Sequence, residues 1–245
     1  MDVITEAELR ELWRNGQETL PAFPAGVRFS AAAQDFLKSH GLTATMAAPP
    51  AVAGPRAEWD KPGTFPVVLS GDLPLCAECG QPVHAKPEHM TQLDATTFAP
   101  KSAPRLKLRG RVDSLHALVM LAAAIARRYH LDAPARHLDT LAAYCREIMS
   151  AEYNARPVAP LTLVGMDEAQ LHAISHWPDR HLGIEHIVPG VEDHEILHWL
   201  NVVRTQAREV EVVALESSVP ADLAHALNRL SSAIYVVELM FKAGK

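Results

Sequence analysis

The C-terminal part of this 245-residue chain constrains the fold most, because two consecutive segments each carry an apolar stripe and a separate polar stripe at helical spacing. In the first, Ile196, Leu200, Val203, Ala207, Val210 and Ala214 recur every three or four residues, while Arg204, Arg208 and Glu211 form a second line. In the second, Leu223, Leu227, Leu230, Ile234, Val237 and Phe241 make the line to be buried, with Asn228, Ser231, Ser232 and Tyr235 beside it. Two such helices facing each other line one polar pocket between them.

The other helical patterns are amphipathic in the same way. One spans about 111–130, with Val112, Leu115, Val119, Ala122 and Ala126 in line; another spans 135–152, with Leu138, Leu141, Cys145 and Ile148 inside. A shorter one begins after Asp167, an N-cap residue, and ends before Trp177-Pro178. Pro220 suits the first turn of the last helix. Long helices joined by short polar segments predict a mainly α protein, an antiparallel bundle of about five helices over 101–245.

Upstream, Thr5 and Glu8 fit a capping box for a short helix reaching about Trp13. Val27-Arg28-Phe29 reads as a strand, and Ser30 caps a helix over 31–39 that Gly41 ends. Residues 1–45 are therefore expected to form a small α+β lobe, followed by an Ala/Pro-rich linker over 46–66 and a Cys-containing segment over 67–100.

Composition narrows the function. Hydrophobic residues at 48% and charged residues at 21% are an ordinary globular balance. A net charge of −6 argues against coating nucleic acid, which needs a basic excess to neutralise phosphates, but allows a small anion held by local arginines. The three cysteines make no secreted disulfide framework, and the N-terminus lacks a basic region followed by an apolar run, so an intracellular, cytoplasmic protein is expected. The most apolar stretch, 112–126, is interrupted by Asp113, Ser114 and His116 and falls short of the roughly 20 residues of a membrane span.

A second chemical signal is Cys76-x2-Cys79-x4-His84-x4-His89. Two cysteines this close can chelate one ion through a tight turn, and later histidines can complete a tetrahedral site. Thiolate and imidazole suit zinc or ferrous iron; a reduced, metal-free thiol pair fits the same spacing. Cys145, in a helix core line, reads as an apolar filler. Of the later histidines, His172 and His176 are one helical turn apart, as are His194 and His198, which read as an exposed helix face.

The last two helices resemble those of corrinoid adenosyltransferases, whose penultimate helix carries Arg-x3-Arg-x2-Glu and whose last carries Asn-Arg-Leu-Ser. Here these are Arg204, Arg208, Glu211 and Asn228, Arg229, Leu230, Ser231. Ser232, where the other common type has an acidic residue, makes the chain similar to the ethanolamine-utilization (EutT) type. Val3-Ile4-Thr5-Glu6-Ala7, Lys101-Ser102-Ala103-Pro104-Arg105, Arg109-Gly110-Arg111-Val112-Asp113-Ser114, His176 and His186-Ile187-Val188-Pro189 extend the likeness over nearly the whole chain.

The resemblance implies transfer of the 5′-deoxyadenosyl group of ATP, with magnesium, to the cobalt of a corrinoid, giving adenosylcobalamin. Cob(I)alamin is itself a strong nucleophile, so the protein's task is to align ATP and stabilise charge on the departing phosphates. It further implies that Arg204, Arg208, Glu211 and Asn228 act in catalysis. ATP would also be held by Lys101, Arg105, Arg109 and Asp113, in a segment ahead of the first bundle helix. The corrinoid would lie on bulky apolar side chains, for which Phe98, Trp177 and Trp199 are candidates. A reductant such as a reduced flavin, a homo-oligomer, a cobalamin-dependent lyase partner and a bacterial microcompartment belong to the same expectation.

The cysteine segment departs from the EutT pattern of His, eleven residues, two adjacent Cys, two residues and a third Cys. Leu75 stands at the first Cys position and Gly63 at the His position. That departure gives standing to an alternative, a non-catalytic, metal-stabilised helical scaffold or corrinoid carrier.

Overall fold

The structure, a computed structural model, describes residues 3–13, 20, 22–23, 27–45, 59, 72–217 and 219–245. It divides into two compact units, Met1–Ala53 and Gly54–Lys245. Apart from Trp59, the stretch 46–66 expected as a linker lies outside the described residues.

In the N-terminal unit, β1 (Val3–Ile4) pairs in parallel with β2 (Arg28–Phe29), and α1 (Glu6–Leu12) and α2 (Ala31–Ser39) follow the two strands. The caps are those the sequence implies. Thr5 and Glu8 form the reciprocal capping box, Ser30 accepts the Ala33 N–H, and Gly41 at φ +64° follows α2. Leu9, Leu20, Phe23, Ala33 and Phe36 make a small buried core.

The larger unit holds a three-stranded sheet and the bundle. β3 (Leu75–Cys76), β4 (Met90–Gln92) and β5 (Thr97–Pro100) are ordered β3-β5-β4, with β3 parallel and β4 antiparallel to β5. These strands are absent from the sequence reading because each is too short to show a period of two. The bundle is built from α3 (Pro104–Arg128), α4 (Asp132–Tyr153), α7 (Glu195–Glu216) and α8 (Ala221–Lys242). Between α4 and α7 lie α5 (Glu168–His176) and the short α6 (Pro178–Leu182).

The apolar stripes explain the packing. Val112, Leu115, Val119, Leu138, Leu141, Leu200, Val203, Leu227, Leu230 and Ile234 are all at most 2% exposed. Each fully buried aliphatic side chain stabilises the fold by ~1.5–3 kcal/mol. Ala122, Ala126, Ala135 and Ala142 are buried too, and their small side chains let α3 and α4 approach closely.

Every adjacent pair of bundle helices is antiparallel. Arg128 at the end of α3 pairs with Glu195 at the start of α7 (2.8 Å), while Ser217 just after α7 reaches the Pro104 carbonyl at the start of α3 (3.4 Å). Asp222 at the start of α8 accepts the Val158 N–H just beyond the end of α4 (3.0 Å). The chain must therefore cross from the end of α4 to the opposite end of the bundle to begin α7. α5 bridges this crossing on the outer face of α8, where Glu168 meets His225 (3.1 Å).

α4 begins at Asp132, three residues before the expected start, and two further boundaries differ from the sequence reading. α3 starts at Pro104, so Arg105 and Arg109 sit on its first turns rather than ahead of it. Pro104 at the first helical position needs no N–H partner, and the Arg, Leu and Lys that follow are good helix formers. His194 is the N-cap of α7, its Nδ1 accepting the Ile196 N–H (3.1 Å), not part of an exposed helix face.

Candidate functional site

The polar stripes of α7 and α8 face each other across a cavity of about 700 Å³. Arg204, Arg208 and Glu211 enter it from α7, Asn228, Ser231, Ser232 and Tyr235 from α8, and His172, Ser175 and His176 from α5. Residues three, four and seven apart share one helical face, so packing the apolar stripes inward fixes the polar ones at this seam.

The seam is organised by a few contacts. Asn228 donates its side-chain amide to Glu211 Oε1 (3.0 Å). Arg204 donates Nη2–H to Asn201 Oδ1 (2.5 Å), and its guanidinium lies 5.7 Å from the centre of the Tyr235 ring. Tyr235 in turn accepts the Ile187 N–H (3.1 Å) and lies 3.0 Å from His186 Nδ1, which ties the loop after α6 to the cavity. Arg208 is exposed and makes no hydrogen bond or ion pair with any described residue. Burial first, then the charges of His176 and Arg229, pushes His172 below its ordinary value and favours the neutral ring. Among the lining side chains two guanidiniums face one carboxylate, with Glu238 buried behind Arg204, so the cavity surface is cationic and suited to a polyanion.

The residues expected from the α3 region lie elsewhere in the chain. Arg105 and Arg109 converge on Glu152 of α4, a side chain only 5% exposed, at 2.7 Å and 2.5 Å. Arg109 also donates to the carbonyls of Gln92 (3.2 Å) and Leu93 (2.6 Å), fastening the end of β4 to the α3–α4 corner. Asp113 lines a separate cavity of about 500 Å³ with Arg109, His116 and Arg146. Lys101 is exposed in the turn between β5 and α3, its N–H bonded to the His89 carbonyl (2.9 Å). One chain thus brings together Arg204, Arg208, Glu211 and Asn228, and not Lys101, Arg105, Arg109 or Asp113 with them.

The three apolar candidates are also dispersed. Phe98 is in β5, opposite Cys76 and Gln92. Trp199 packs on the bundle core and donates Nε1–H to Glu195 (3.2 Å). Trp177, 45% exposed, caps α5 with its ring centre 5.9 Å from that of His176. Two exposed apolar side chains missed by sequence reasoning do line the seam cavity: Val212 at 53% and Leu215 at 66%. Their signal was visible, since they fall off the buried stripe of α7.

The Cys76-to-Gly80 stretch forms a tight turn. Gly80 donates its N–H to the Cys76 carbonyl (2.8 Å) with φ +70°, a conformation that favours glycine. The Cys76 sulfur accepts from the backbone of Cys79, then of Glu78, then from the Cys79 thiol, which holds its thiol below the ordinary value. The two histidines do not join it: among the described residues no three His, Cys, Asp or Glu side chains are grouped to hold an ion. The hydrogen bonds explain why. The chain turns back so that Gln81 faces Cys76 and Val83 faces Pro74, carrying His84 toward the opposite end of that hairpin. His89 precedes β4, which is separated from β3 by β5, two strand spacings or roughly 10 Å. The cysteines fit half of a tetrahedral site.

An antiparallel helical bundle with a cationic, polar-lined seam between its last two long helices offers a polyanion a place to bind, and its sequence relatives give the class. The chain belongs to the cobalamin adenosyltransferase family, which matches residues 83–241. It is 31% identical over 250 aligned residues to the proteins named corrinoid adenosyltransferase EutT from Salmonella typhimurium and from Escherichia coli. Each alignment covers 98% of this chain and 92% of the relative. No solved structure matches it significantly. No helix among the described residues is long and apolar enough to cross a membrane.

Proposed function

We propose that this family member transfers the 5′-deoxyadenosyl group of ATP to the cobalt of a corrinoid, and that the α7–α8 seam holds the polyphosphate. The observation that carries the assignment is the exposed guanidinium of Arg208, without a partner among the described residues, beside Arg204 and across from Asn228 in the seam cavity. In the reaction, the cobalt(I) electron pair forms the bond to the 5′ carbon of the ribose as the carbon–oxygen bond to triphosphate breaks. No proton needs to be moved. What the protein supplies is alignment and cationic stabilisation of the leaving oxygen and phosphates, by Arg204 and Arg208; magnesium arriving with ATP would add to that stabilisation. Asn228 holds Glu211, and both orient the nucleotide end of the site.

The exposed pair Val212 and Leu215 gives the cavity an apolar lip where a corrinoid face can lie away from water. Trp177, exposed beside His176, offers further apolar surface at the end of α5. Lys101 and Asp113 reach ATP from the α3 corner of a second copy, in a homo-oligomer. Arg105 and Arg109 hold that corner in shape through Glu152. The thiols of Cys76 and Cys79 would supply two ligands to zinc or ferrous iron. A reduced flavin as electron source and a microcompartment setting are carried by the family likeness.

Mixing the protein anaerobically with ATP, magnesium and chemically reduced cob(I)alamin tests the assignment. The visible spectrum should convert to that of the cobalt–carbon product. An intact, ATP-binding protein that gives no such product would overturn it.

A further inference from the structure

We propose that Glu238 is a positioning residue: its carboxylate, buried behind the seam cavity, sets the direction in which the Arg204 guanidinium enters it. This rests on the reading that Arg204 holds the polyphosphate of ATP.

Glu238 lies on α8, one turn beyond Tyr235, and is 2% exposed. Its neighbours Val236, Val237 and Leu239 are fully buried aliphatics, so the surroundings favour an apolar side chain. Arg204 Nε approaches Glu238 Oε1 to 3.3 Å, but the two are not aligned as a hydrogen bond, and each is shut off from solvent without a hydrogen-bond partner among the described residues. For stability alone this is a poor arrangement: a buried carboxylate with one imperfect partner loses more by desolvation than it gains by attraction.

The same contacts make sense as an aiming device. Arg204 is gripped by Asn201 at Nη2, covered by the Tyr235 ring and drawn from behind by Glu238. Three constraints on one guanidinium remove the rotamer freedom that a long side chain otherwise gives up on meeting a ligand. Burial raises Glu238 to about 7 against the pull of Arg204.

The experiment measures melting temperature, and KM and kcat for ATP, in wild type, Glu238→Gln, Arg204→Ala and the double variant, with Glu238→Met as a second, apolar replacement. Glu238→Gln and Glu238→Met should melt no lower than wild type while KM for ATP rises roughly tenfold. In the Arg204→Ala background the same change should shift KM by less than about twofold, because Glu238 then has nothing to orient. A wild-type KM in Glu238→Gln, independent effects that multiply in the double variant, or a loss of activity that follows a lowered melting temperature would each overturn the proposal. A wild type that neither binds nor uses ATP overturns the underlying reading. An active wild type with an unaltered Glu238→Gln overturns this inference alone.

Discussion

Asn228 of α8 donates its side-chain amide to Oε1 of Glu211 of α7 over 3.0 Å, and this bond joins the two polar stripes at the middle of the seam. It crosses between helices held mainly by apolar packing, with Arg204 reaching Glu238 and Tyr235 further along, so it positions two groups without being needed for the bundle. Asn228→Ala should keep the fold and raise KM for ATP by roughly tenfold, the effect of losing one or two hydrogen bonds of ~1 kcal/mol each. Steady-state kinetics at saturating corrinoid checks this; an unchanged KM would remove Asn228 from the site.

Glu152 is the knot of the α3–α4 corner, accepting from both Arg105 and Arg109 while nearly out of reach of solvent. Glu152→Ala removes the carboxylate both guanidiniums share, leaving Arg105 only the more distant carboxylate of Asp94 (3.8 Å), and loosens the end of β4, which Arg109 fastens. The expected destabilisation is about 3 kcal/mol. Urea unfolding followed by circular dichroism measures it, and a stability equal to wild type would show the knot to be idle.

Two buried groups give the stability opposite slopes with pH. Glu238 is raised from 4.5 to about 7 by burial, so between those values the folded chain holds a proton that the unfolded chain has released. Its contribution is full below the unfolded value and is lost as pH rises toward 7. Relative to Glu238→Gln, wild type should lose roughly 2–3 kcal/mol between pH 5 and 7.5 in denaturant titrations, and a constant difference would contradict the burial of a titrating carboxyl. His137 slopes the other way: burial first, then Arg136, lowers it to about 4, so its contribution is present above the ordinary histidine range and lost as pH falls.

The seam was legible in the sequence because both of its walls are regular helices. When the stripe Ile196, Leu200, Val203, Ala207, Val210 turns inward, the positions of Arg204, Arg208 and Glu211 follow from 3.6 residues per turn. What was not legible depends on contacts between residues far apart in the chain. Glu152 and Glu238 read as ordinary polar positions on helices, and nothing local shows that one collects two arginines and the other lies behind Arg204. His84 and His89 have plausible ligand spacing, yet the short strands that carry them away from Cys79 lack any periodic signal. Apolar residues that bind a flat ligand obey no spacing rule, and Phe98, Trp177 and Trp199 accordingly scatter.

The cysteines separate by environment. Cys145 is fully buried in α4 and raised to about 12, whereas Cys79 is exposed and Cys76 partly so. After treatment with a metal chelator, two thiols per chain should react rapidly with a thiol reagent under native conditions and the third only on unfolding. Three equally fast thiols would contradict the placement of Cys145 in the core.

Arg208 bears the central claim, that the seam between α7 and α8 is the reacting site. The most direct measurement is turnover of cob(I)alamin and ATP by Arg208→Ala, with circular dichroism on the same sample. Turnover should fall by about a thousandfold or more, the scale of removing one preorganised charge from a departing group, while helicity stays at the wild-type level. Wild-type turnover in the folded variant would place the chemistry elsewhere in the molecule.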